Sequence, residues 1–164
     1  MRPHQIFAAM PGEQCEALFT KLAEVSPETV QQTVVAAAAA LRFRPKFLLK
    51  QPVSKRIASV RRALARVGSD QLAEEILAVY FLKCRLELLS EWLDHVGLAH
   101  EEGILSDEEV VTPDADLLEK KVGEFRTASD DADRELLLQA FSAQSAIDWP
   151  KLDELVAAAV ERER

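Results

Sequence analysis

Glycine is scarce in this 164-residue chain, at five residues, and cysteine scarcer still, at two; aromatic side chains make up only 6%. With so few glycines, and alanine and leucine supplying most of the apolar content, helix is favoured over strand, because these side chains lose little rotamer freedom in a helix. The fold class expected is therefore all-α. Cys15 and Cys84 stand far apart, with no C-x-x-C pairing and no histidine at zinc spacing. That argues against a zinc finger and reads as two free, buried thiols in a reducing compartment, ahead of the alternative of a single disulfide. The longest uncharged run, Thr29 to Leu41, has 13 residues, short of the ~20 that span a bilayer. The N-terminal apolar stretch is broken by Pro11, Gly12 and Glu13, so no signal-peptide core forms. A cytoplasmic protein without a membrane partner is the expectation.

Catalytic signatures are missing too. There is no G-x-S-x-G, no glycine-rich phosphate loop and no calcium-loop spacing in the acidic "EEGILSDEE". No catalytic residue, metal ligand or cofactor is assigned, and the reading leans away from an enzyme.

What is present is regular punctuation. Prolines suit a first helical turn and glycines close a last one, and here they divide the chain into about seven helices. These begin near Pro11, Pro27 and Val53, run on through a long central helix from Ser69 to Gly97, and resume near Pro113, Ser129 and Pro150. Residues 1–164 read as one domain, with 1–9 flexible and 98–111 a partly structured connector that contains a short extended piece. In the long helix, Leu82, Leu86, Leu89 and Leu93 are expected to form one buried stripe.

Charge is segregated. The chain carries a net charge of −8, yet Leu41 to Gly68 contains no acid, and nine bases fall between Arg42 and Arg66. Outside them, 11 bases face 28 acids, and Glu101 to Glu135 alone holds 13 acids against four bases. Val53, Ile57, Val60, Leu64 and Val67 make an apolar stripe, with Lys55, Arg62 and Arg66 opposite it. The candidate partner-binding residues are Arg42, Arg44, Lys46, Lys55, Arg62 and Arg66. They suit phosphates, with Phe43 and Phe47 as stacking platforms, or else a solvated face paired with the acidic segment, the two phenylalanines plugging the core under a bend. The net acidity disfavours a polyanion, so a protein partner is expected ahead of nucleic acid.

Two weaker constellations remain. Glu87, Glu91 and His95 recur every four residues, followed by His100 and Glu101. A di-iron bundle needs Glu-x-x-His on each of two helices, and residue 92 is tryptophan, so these residues read as a helix face and its C-terminal cap. The charge-free alanine helix, Thr29 to Leu41, needs cover in its second half and belongs to the core or to a homodimer contact. The stretch "AEEIL…LLSEWLDHVGLAHEEGIL", with Leu93, Asp94, Gly97, Leu98 and His100 in an L-D-x-x-G-[IL]-x-H phrase, resembles a family of uncharacterised all-helical bacterial proteins of unknown function. The resemblance covers about a third of the chain and implies a helical fold but no activity. The function expected is that of an adaptor, regulator or assembly factor acting through protein contacts.

Overall fold

Proline fixes the start of most helices in the computed structural model, which describes residues 1–106 and 110–162. Pro3, Pro27, Pro45 and Pro150 are first helical residues, and Pro11 and Pro52 sit one position earlier, because the missing N–H would have no partner in a first turn. The helices are α1 (Pro3–Ala9), α2 (Gly12–Val25), α3 (Pro27–Ala40), α4 (Pro45–Leu49), α5 (Val53–Leu64), α6 (Asp70–Cys84), α7 (Leu86–His95), α8 (Ala115–Thr127), α9 (Ala132–Ser142) and α10 (Pro150–Arg162). Among the described residues the strands are β1 (His100–Glu101) and β2 (Ile104–Leu105). The fold is all-α, as expected. Its helices are shorter and more numerous than the punctuation implied.

The chain groups into two compact units, Arg2–Cys84 and Arg85–Arg164. In the first, α2, α3 and α5 pack on one another and α1 packs on α5 and α6. Residues 1–9, expected to be flexible, instead carry α1, whose Ile6 and Phe7 are fully buried. A shared acceptor ties α1 to α6. Asp70 Oδ1 accepts from the His4 backbone N–H at 3.1 Å and lies 2.6 Å from His4 Nδ1, with Arg2 3.5 Å from Oδ2. The Asp70 carboxyl is held below its ordinary value, chiefly by the His4 ring hydrogen bond. The core adds Leu18, Leu22, Leu48, Leu64, Ile76 and Tyr80.

In the second unit the core is aromatic. Trp92 meets Phe125 at 5.1 Å and Phe141 at 5.9 Å between ring centroids, and Phe141 meets Trp149 at 5.2 Å. Over this cluster lies Arg134, only 8% exposed, 4.7 Å from the Phe125 ring and bonded through both terminal nitrogens to Glu91 at 2.7 and 3.0 Å. Aspartates begin two of its helices. Asp114 accepts from the N–H groups of Asp116 and Leu117, and Asp131 from that of Asp133, one residue beyond the Pro113 start and two beyond the Ser129 start that the sequence suggested. Each side-chain oxygen satisfies N–H groups that no helical carbonyl can reach.

The long central helix is not continuous. Arg85 leaves helical geometry, at φ −135 and ψ 37, and separates α6 from α7. Neither proline nor glycine marks the break. The Arg85 guanidinium reaches Asp131 and Asp133 instead. Burial pushes the Asp131 carboxyl up, but the Arg85 hydrogen bond and the Asp133 N–H outweigh it and leave it lowered. The interruption shifts the helical register, so the expected stripe splits: Leu89 and Leu93 are buried, Leu82 and Leu86 only half-buried, and Leu88 joins the core.

The connector holds the short extended piece. His100 pairs with Leu105 and Glu101 with Ile104 in an antiparallel hairpin. Glu102 and Gly103 take φ of 49 and 82, the two positive values of a turn whose twist matches its strands. The rest of the connector includes 107–109, which lie outside the described residues.

Candidate functional site

The basic segment begins where α3 ends. Phe43 N–H bonds to the Ala38 carbonyl at 2.8 Å and Arg42 N–H to that of Ala39 at 3.2 Å, which closes the helix through a residue in the left-handed region. That residue is Arg42, at φ 59. Glycine is the usual occupant, because a Cβ there costs about 1–2 kcal/mol. An arginine thus stands where a glycine would be more stable.

The turn leads into α4, a five-residue helix whose single buried side chain is Leu48, at 0% exposure. Leu48 plugs the core under the bend, one of the two roles that the sequence offered for Phe43 and Phe47. Those two are 37% and 53% exposed and pack on each other, 5.4 Å between ring centroids. Leu49 and Val53 beside them are 38% and 59% exposed. A five-residue helix has one face to bury, and Leu48 occupies it.

The nine bases separate into two groups. Arg61 donates from Nε to the Phe7 carbonyl at 3.1 Å and from Nη2 to that of Ala8 at 3.3 Å. Arg66 donates to the Ala40 carbonyl, and Arg56 from Nη2 to the carbonyls of Leu49 at 2.9 Å and Gln51 at 3.1 Å. These are the orphan carbonyls at or just past the ends of α1, α3 and α4, and each guanidinium meets the negative end of a helix dipole. Arg66, a candidate binding residue from the sequence, is in this group. The other six, Arg42, Arg44, Lys46, Lys50, Lys55 and Arg62, make no ion pair or side-chain hydrogen bond within Arg2–Cys84 and are exposed. Lys55 and Arg62 stand two turns apart on one face of α5. The apolar stripe of α5 is narrower than expected. Ile57, Val60 and Leu64 are buried with Ala63, while Val67, beyond the end of the helix, is 86% exposed.

Glu91, His95 and His100 go to three different places. Glu91 takes Arg134. His95 Nε2 lies 3.1 Å from the Lys121 carbonyl and 3.3 Å from Glu124. His100 braces its hairpin: Nδ1 accepts from the Gly103 N–H at 3.2 Å, and Nε2 lies 2.9 Å from Asp94, which fixes the tautomer with the proton on Nε2. Glu87 is exposed. Among the described residues no three His, Cys, Asp or Glu side chains gather as a metal site. Cys15 is buried and Cys84 half-buried, both free; burial pushes the Cys15 thiol up to about 11, away from thiolate chemistry. The alanine helix buries Thr33, Val34, Ala37 and Ala38 and leaves Val35, Ala39 and Ala40 exposed.

Sequence reasoning missed Arg134 and the His4–Asp70 tie. Both join residues distant in the chain, and no local spacing announces them. Compared with protein-family models, curated proteins and solved structures, the chain matches none.

Proposed function

We propose that the chain is a non-catalytic binding module that docks an acidic protein surface with the face formed by α4 and the first turns of α5. One observation carries this reading: the exposed Phe43–Phe47 pair lies among the exposed, unpaired Arg42, Arg44, Lys46 and Lys50. Aromatic anchors ringed by charge are the composition of binding hot spots, and the strained Arg42 fits a residue kept for contact over stability. The partner is acidic by complementarity. In this reading the protein acts in the cytoplasm as an adaptor, regulator or assembly factor, and it forms a homodimer through the exposed Val35, Ala39 and Ala40 face of α3.

The same phenylalanine pair favours a second reading, single-stranded nucleic acid stacked on the two rings. The net charge of −8 opposes it. Affinity capture from a native lysate separates the two, with the wild type compared against Phe43→Ser/Phe47→Ser and against Lys46→Gln/Lys50→Gln/Lys55→Gln. A protein retained by the wild type, released by salt and lost with both variants supports the first reading. Oligouridylate bound at sub-micromolar affinity, and lost with the same variants, supports the second. Equal capture by all three proteins would overturn both.

A further inference from the structure

In the unit Arg2–Cys84, the second half of α2 and the first halves of α3 and α5 enclose a groove of about 370 Å³. Its floor is Phe19, Val34, Ile57 and Val60, and the exposed Val53 forms one lip. The groove is almost wholly apolar, and the cation in its wall is Arg56. This guanidinium is fixed, since Nη2 is held by the Leu49 and Gln51 carbonyls. It is also incompletely satisfied. Nη1 makes no hydrogen bond and is not buried, Nε is buried without an acceptor, and no carboxylate of the unit pairs with the side chain. Two neutral carbonyls leave the full positive charge in place at the edge of an apolar surface.

We propose that this groove binds a single-chain aliphatic carboxylate, its chain on Phe19, Val34, Ile57 and Val60 and its head group on Arg56. An always-protonated, pre-positioned guanidinium recognises a carboxylate better than any neutral donor does. Glu24 also lines the groove, from α2. Its charge selects a monoanion, because a phosphate dianion beside it is repelled more strongly. A methylene fills about as much space as a water, roughly 30 Å³, so the volume suits a chain of about twelve carbons, within the usual range of ligand pockets. The groove shares the start of α5 with the docking face proposed above, but its ligand contacts, Phe19, Val34, Ile57, Val60 and Arg56, are not the residues of that face, so it is tested without it.

Titration calorimetry of the full chain with octanoate, decanoate and dodecanoate tests the proposal. One site per chain is expected, with affinity rising about fourfold per added methylene. Dodecanol, with the same chain and no charge, is expected to bind at least about tenfold more weakly. Arg56→Gln removes that head-group preference. Because Arg56 also holds two backbone carbonyls, a second variant is needed. Ala23→Phe, on the exposed α2 wall, fills the groove without touching them and abolishes binding while the circular dichroism spectrum and thermal melt stay unchanged. Glu24→Gln tightens binding. The proposal is overturned by no heat of binding with dodecanoate at about 1 mM, by equal affinity for dodecanol, or by a folded Ala23→Phe protein that binds as the wild type does.

Discussion

The two units differ in charge and in what they do with aromatic residues. Arg2–Cys84 contains twelve basic and seven acidic residues, a net of +5, while Arg85–Arg164 contains eight basic and 21 acidic, a net of −13. In the acidic unit all four aromatics, Trp92, Phe125, Phe141 and Trp149, are in the core. In the basic unit two of six, Phe43 and Phe47, stand at the surface among lysines and arginines. A chain this poor in aromatics has few to spare. Placing two of them in water, on the basic segment without acids, marks that surface as the place where apolar contact and positive charge coincide.

Substitutions can break this comparison, and the largest effect belongs to the acidic unit. Phe141, in ring contact with both tryptophans, is expected to cost about 3–5 kcal/mol of unfolding free energy on change to alanine, whereas Phe47→Ala should stay within about 0.5 kcal/mol. Urea melts of the two proteins read the difference directly. If Phe47→Ala proved as costly as Phe141→Ala, the exposed pair would be core and the docking face would be lost.

Next in size is Arg134→Ala. Breaking a buried pair costs about 3–5 kcal/mol, but Glu91 is half-exposed and water replaces part of the interaction, so about 2–3 kcal/mol is expected. Glu91→Gln should cost less, as it keeps the hydrogen-bond acceptor. Denaturant melts of both variants rank the two.

A smaller effect follows pH. The Asp70 carboxyl is lowered in the folded state, so its contribution is complete above its ordinary range, near pH 4, and is lost as pH falls through the lower folded value. Thermal melts from pH 7 down to pH 3 should show Asp70→Asn already less stable than wild type at neutral pH and converging on it in acid. A gap that stays constant over the whole range would mean that the His4–Asp70 tie does not act through ionisation.

The smallest effect has the opposite sign. Arg42→Gly should stabilise the fold by about 0.5–1 kcal/mol through relief of the left-handed backbone, while weakening capture of an acidic partner. Loss of stability on this change would show that the arginine side chain holds the turn.

The sequence by itself determined the all-α class, most helix starts, the segregation of charge and the presence of an extended piece near His100. These depend on neighbours within a few residues: a proline ring, an absent Cβ, the alternation of apolar side chains around one helix. Tertiary structure alone decided which bases are free. Arg56, Arg61 and Arg66 look no different in sequence from Lys55 and Arg62, and only the carbonyl ends of α1, α3 and α4, brought close by packing, make them caps. It likewise chose Leu48 over Phe43 and Phe47 for the core, since a short helix buries whichever face its neighbours meet. The break at Arg85 belongs here as well. No local signal marks it, and the aspartates that hold the guanidinium lie some 46 and 48 residues further along the chain.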